Sequence, residues 1–352
     1  MIIYADTDVC RWHLDQIKQE NTQDLEVFKA APGLKLAVFH VPYPYDRGYG
    51  LAFEQRLKQV YDLCDHVCIL GSELHANTVD FIQRWNRPNI TFFLCGFVNG
   101  IASEQWMDWF NTSSHFYKKN PQVLDQLRPY DVKPKAFDIL LGTQKYHRTM
   151  IYNNIKINKL DDRVIMTYLK DTSKFMHEQT ADAFIWEDEN LEFIQPNFQC
   201  TVTQIKYYGH NMTLSQVIPI NVYNQTAYSI IAETCYDSHF SFYTEKIVKP
   251  ILAERLFLVF SGQNYLKGLR ELGFKTFDGI IDESYDSIRN SQERYRQAFI
   301  QMQRLIDGPQ DKFLEQIRPI AEHNKQHMLE TDWLGDYTRR FATVLRDHGV
   351  QN

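Results

Sequence analysis

The segment Ser241–Tyr265, SFYTEKIVKPILAERLFLVFSGQNY, holds the residues best spaced for chemistry. The Thr244 hydroxyl suits the N-cap of a helix running to about Glu254, with Ile247, Val248, Ile251 and Leu252 on its core-facing stripe. Pro250 predicts that this helix is short or kinked. Glu245 and Lys246 then fall in the first turn, where unpaired N–H groups and the positive dipole end favour an anion. Lys246 adds a full charge, so a phosphate fits there. Glu245 suits the vicinal hydroxyls of a ribose, because one carboxylate accepts two hydrogen bonds at once. Position alone leaves a plainer reading open, in which Glu245 complements the helix dipole and Lys246 is solvated.

Other patterns carry less. Asp6-Thr7-Asp8, after the opening strand, has the DxD form in which two carboxylates hold a divalent cation against a diphosphate, and Asp8 equally suits a helix cap. Glu187-Asp188-Glu189 reads as a solvated acidic loop. His323 and His327 are spaced i, i+4 but lack the HExxH form, which rejects a metalloprotease. GxGxxG, Walker A and GxSxG motifs are missing, which argues against dehydrogenase, P-loop and α/β-hydrolase readings. The cysteines (Cys10, Cys64, Cys68, Cys95, Cys200 and Cys235) have no CxxC spacing and read as free thiols, and no metal ligand set is expected.

The elements that must position these groups are those of an α/β protein. The 352 residues suggest two domains, and 44% hydrophobic with 23% charged residues excludes a disordered or fibrous chain. Net charge is −6, which offers no overall attraction to nucleic acid or anionic lipid but allows a local basic groove. Strands are expected at Met1–Ala5, Leu34–Val41, Val67–Leu70 and Ile90–Leu94. Phe53, Leu57, Val60 and Cys64 mark one apolar helix face between them, and His75–Trp85 reads as a second helix. Asn120–Lys135, with three prolines, is the expected linker. The rhythm restarts with Phe137–Leu141, a helix after Gly142–His147, then strands Arg163–Leu169, Ala227–Ala232 and Leu256–Phe260. Leu266–Leu272 is a short helix stopped at Gly273, and the tail from Tyr285 to about Asp347 is helical with a kink or break expected at Pro319. The expected division is residues 1–130, 131–305 and a helical 306–352.

Tyr-Thr-Glu-Lys opening a helix, then an apolar strand and Ser261-Gly262-Gln263-Asn264-Tyr265, resembles the donor-binding region of the α1,3-fucosyltransferase family. That family's pattern is approximately Y-x-T-E-K, a strand and G-x-x-x-Y; here the aromatic Tyr243 is adjacent to Thr244 instead. The resemblance extends over roughly residues 136–300, from Gly142–Arg148 (GTQKYHR) to Gly273–Tyr285 (GFKTFDGIIDESY). It implies a GT-B glycosyltransferase, with two Rossmann-like domains facing a central cleft and a nucleotide-sugar held mainly by the C-terminal one. Carried over by position, Glu245 binds the donor ribose, and Lys246 and Arg148 the diphosphate, with Lys145 or His147 able to replace Arg148. Tyr243 packs near the nucleotide, and Thr244, Asn264 and Tyr265 complete the donor motif. A metal is then not required, because fixed cations and a helix N-terminus stabilise the leaving diphosphate. The donor is a GDP-sugar by analogy.

Inverting transfer also needs a base for the acceptor hydroxyl, and no N-terminal motif matches that family's carboxylate. Loops after N-terminal strands supply candidates: Glu73 in Gly71–His75 first, Asp46 in His40–Gly48 second, with His40 or His75 as alternatives. Ser72 capping a helix, with Glu73 in its first turn, is the structural alternative. Tyr43, Tyr45 and Tyr49 offer an acceptor platform. The acceptor is a glycan or another hydroxyl; a hydroxylated base in DNA is the second enzyme reading, with Lys118, Lys119, Lys133 and Lys135 as a basic groove. A catalytically degenerate nucleotide-sugar- or glycan-binding protein is the third. No signal-peptide pattern and no membrane span is visible, so a cytoplasmic, bacterial or viral form is expected.

Overall fold

The computed structural model describes residues 2–6, 21–41, 47–169, 189–194, 204–236 and 240–348. Asp46, Thr7, Asp8, Tyr43, Tyr45, Glu187 and Asp188 lie outside the described residues, as does the side chain of Tyr49. In chain order the strands are β1 Ile2–Ala5, β2 Asn21–Thr22, β3 Lys35–His40, β4 His66–Gly71, β5 Ile90–Leu94, β6 Gly96–Val98 and β7 Glu104–Gln105. They continue as β8 Lys135–Thr143, β9 Val164–Leu169, β10 Leu191–Phe193, β11 Gln204–Tyr207, β12 His210–Thr213, β13 Thr226–Ala232, β14 Phe240–Phe242 and β15 Phe257–Phe260. The fold is mixed α/β, and its two main sheets are parallel. The chain divides into two compact units, Met1–Asn111 with His239–Phe242 and Asp332–Asn352, and Thr112–Ser238 with Tyr243–Thr331.

In the first unit the sheet order is β2-β1-β3-β4-β5-β7, every pair parallel. Its central strands β3 and β4 are almost wholly buried, which explains their near-continuous apolar sequence. β6 pairs antiparallel with β14, and Gly96 faces Phe242 across that ladder. A Cβ at Gly96 would come within 1.9 Å of the Ser241 carbonyl oxygen, so the close approach requires glycine. The helix Trp333–Asp347 belongs to this unit. Its Tyr337, Phe341 and Leu345, spaced i, i+4, i+8, pack on Ile3, Leu36, Val38, Leu70 and Phe93 of the sheet.

In the second unit a four-stranded parallel sheet has the order β15-β13-β8-β9. β13 is buried along its whole length. β10, β11 and β12 form a separate antiparallel sheet that the polar sequence around it did not announce. The chain leaves β8 toward β9, then returns to the other side of β8 as β13. The strand order therefore reverses between β8 and β13, the kind of position where open α/β sheets hold ligands beyond their carboxyl ends.

The helices of the tail divide between the units, with Gln310–Glu330 in the second and Trp333–Asp347 in the first. Pro319 does not break a helix. It sits on the exposed face of Gln310–Glu330, where water can satisfy the carbonyl its missing N–H leaves, and the breaks fall at Gly308-Pro309 and Thr331-Asp332. The unit boundary at Asn111/Thr112 also lies ahead of the proline-rich stretch, which contains the short helix Pro121–Leu124.

Candidate functional site

At the carboxyl ends of β8 and β13 the second unit gathers three cations and two carboxylates. β8 leads through Lys145, the N-cap residue, into the helix Tyr146–Ile157, which places His147 and Arg148 in its first turn. β13 leads directly into Glu233 and Thr234. The Lys145 Nζ donates to the Thr234 carbonyl at 2.5 Å, and the Lys246 Nζ donates to the Thr234 hydroxyl at 3.1 Å. The Arg148 guanidinium donates to the Ala232 carbonyl at 3.3 Å, and the His147 Nε2 to the Glu233 carbonyl at 2.9 Å. Residues from three segments thus meet on one short loop.

Glu233 anchors the arrangement. Its fully buried carboxylate accepts from the Tyr265 hydroxyl at 2.8 Å, the Thr244 hydroxyl at 2.8 Å and the Thr234 N–H at 3.1 Å. Thr244 is the N-cap of the helix Glu245–Leu252, as its sequence position predicts, and its hydroxyl accepts from the Lys246 N–H at 3.3 Å. The same oxygen therefore links the helix start to the buried acid. Lys246 also donates to Glu245 Oε1 at 2.8 Å, and its side chain keeps about a quarter of its surface in solvent.

The electrostatics follow from this crowding. Burial pushes the Glu233 carboxyl up, against the pull of Lys246. Burial also raises Glu245, but Lys246 and Lys249 outweigh it and hold that carboxyl below its usual range. Burial, then the Arg148 charge, draws Lys145 below the ordinary amine value, and burial lowers Arg148 as well. His147 is pushed down to about 3 by burial and the Arg148 charge, so it is neutral at physiological pH. A second anion brought to Lys145, Arg148 and Lys246 relieves their mutual repulsion.

The structure brings Lys145, Arg148, Thr244, Glu245 and Lys246 together, and adds Glu233 and Thr234. The missed acid had a sequence signal, a carboxylate immediately after the apolar strand AYSIIA, but nothing to show which hydroxyls it meets. Tyr243 and Tyr265 are buried: Tyr243 donates to the Tyr265 carbonyl at 2.8 Å, and the rings pack 4.6 Å apart. Their role here is to support the loop. Asn264 adopts φ 65° at the N-cap of the helix Tyr265–Glu271 and lines a cavity of about 520 Å³ with Lys267, Arg270 and Asp278.

Within the first unit, Glu73 follows β4 as expected, and its carboxylate lies 3.6 Å from the His75 Nε2. Burial, then the Glu73 charge, raises the nearby Asp108 carboxyl. Ser72 does not cap the following helix: His75 occupies the N-cap without a side-chain cap bond, and the Ser72 hydroxyl pairs with the His40 Nε2 at 3.2 Å. Of the DxD motif, Asp6 is fully buried and both its oxygens are held by the Arg56 guanidinium, at 2.7 and 2.9 Å. That bidentate pairing makes Asp6 a structural ion-pair partner. The lysines suggested for a DNA groove do not form one exposed stripe, since Lys133 is buried and Lys135 donates to the Asp162 carbonyl at 2.6 Å. Among the described residues no group of three or more His, Cys, Asp or Glu is placed to hold a metal, and no helix is long and apolar enough to cross a membrane. No protein-family model and no curated protein matches the chain.

Proposed function

We propose that the chain is a glycosyltransferase of GT-B type that moves a sugar from a nucleoside diphosphate to a hydroxyl acceptor with inversion, and that the second unit is its donor-binding half. The observation that carries the reading is the convergence of Lys145, Arg148 and Lys246 on Glu233-Thr234 at the point where the strand order reverses. In the proposed reaction the acceptor oxygen bonds to the anomeric carbon as the bond from that carbon to the phosphate oxygen breaks. The diphosphate departs with the electron pair, and the three cations stabilise its growing charge. Glu245 is the proposed ribose ligand, exchanging its bond from Lys246 for the sugar hydroxyls. Glu73 is the proposed acceptor for the proton.

The test is a thermal-shift screen over nucleoside diphosphate sugars with and without a divalent metal, followed by a transfer assay with the stabilising donor. The proposal predicts that a donor raises the melting temperature without metal, by mass action on the folded state, and that Lys246→Ala abolishes transfer while leaving the fold intact. Donor binding without transfer or hydrolysis would assign a nucleotide-sugar-binding protein instead. A screen in which no nucleotide stabilises the chain refutes both.

A further inference from the structure

We propose that Tyr236, backed by His147 and flanked by Tyr146, is the platform on which the flat base of the nucleoside diphosphate stacks; this rests on the diphosphate reading and assigns the part of the ligand that the cations leave untouched. Tyr236 follows Thr234 by two residues, so at most about 7 Å of chain separates it from the residue that takes Lys145 and Lys246. One side of its ring is stacked on the His147 imidazole, with centroids 4.6 Å and planes 26° apart. Tyr146 stands beside it, with centroids 6.3 Å apart.

The fold holds these rings in place. His147 is fully buried, and its Nε2 bond to the Glu233 carbonyl fixes the imidazole plane. The Tyr295 hydroxyl donates to the Tyr236 carbonyl at 3.1 Å, and the Tyr146 hydroxyl accepts from the Gln292 amide at 2.9 Å. Tyr236 is half-buried and Tyr146 is 45% exposed. Exposed aromatic surface is unremarkable alone. Here it lies in the same helix turn as Lys145 and Arg148 and in the same loop as Thr234. A ligand that satisfies both features carries anionic oxygens at one end and a flat aromatic ring at the other. Stacking is tolerant of base identity because every base has a π-face, and a purine covers more of the platform than a pyrimidine.

The experiment is calorimetric titration of the full chain with inorganic pyrophosphate, GDP, ADP and UDP, using wild type, Tyr236→Ala, Tyr236→Trp and Tyr146→Ala. The platform predicts that wild type binds GDP and ADP at least roughly tenfold more tightly than pyrophosphate. Tyr236→Ala loses that advantage while its pyrophosphate affinity holds, and Tyr236→Trp retains it. Should Tyr236→Ala fail to fold, quenching of the Tyr236→Trp indole by GDP but not by pyrophosphate reads the same contact. Equal affinity for pyrophosphate and GDP in wild type, or a folded Tyr236→Ala with unchanged GDP affinity, overturns the platform alone. If wild type binds none of the four, the diphosphate reading falls and the platform falls with it.

Discussion

Glu233 shows how a single residue can organise a site without facing a ligand. Four donors from Thr234, Thr244 and Tyr265 converge on a carboxylate that burial alone would disfavour as an ion. Removing one donor leaves a buried acceptor short of a partner, which costs about 1–3 kcal/mol. Tyr265→Phe is therefore expected to lower unfolding free energy by that amount in urea titration, with the fold retained. Thr244→Val removes the helix cap as well and is expected to cost more than Tyr265→Phe. Equal stability of wild type and both variants would show that Glu233 does not depend on these bonds. The Thr244 cap was legible in the sequence because a cap is a local pattern, whereas the Tyr265 hydroxyl meets Glu233 across 32 residues and no periodicity encodes that pairing.

Among the elements, the longer strands of the two main parallel sheets were legible to within a few residues, because a buried parallel strand must be apolar along its length, whereas the two-residue edge strands β2 and β7 carry too little pattern to be read. β5 at Ile90–Leu94 and β15 at Phe257–Phe260 illustrate this. The helix Trp333–Asp347 was legible as a helix but not by destination. Its Tyr337, Phe341 and Leu345 announce an apolar face, yet nothing local says that this face covers the sheet beginning at Ile2. The β6–β14 pair was illegible for a similar reason, since three-residue strands carry too little pattern. Phe341, with 1% exposure, makes the helix docking testable. Phe341→Ala is expected to cost about 3–5 kcal/mol, seen as a lower urea midpoint. A change below about 1 kcal/mol would mean the helix contributes little to the first unit's core.

At the scale of the whole molecule, two buried histidines are expected to weaken the fold in acid. His66, which burial and its stacked neighbour His348 push down to about 4, lies in the first unit, and His147, at about 3, in the second. Both are neutral in the folded and unfolded chain above pH 6.5. As pH falls below 6.5 the unfolded chain takes up protons that the folded chain refuses, so stability declines toward pH 4. A shift the size of His66's is worth at most about 3 kcal/mol. Urea titrations at pH 7 and pH 5 are expected to show the loss in wild type and a smaller loss in His66→Gln; equal losses would exclude His66 as a source.

The proposed cation cluster is tested most directly by titrating GDP calorimetrically into wild type, Lys145→Met and Lys246→Met at two salt concentrations. A cation cluster of this kind predicts one binding site in wild type, affinity at least roughly tenfold weaker in each variant, and a salt dependence that is smaller in both variants. Undiminished GDP affinity in Lys145→Met and Lys246→Met, or no binding by wild type at low salt, would contradict it.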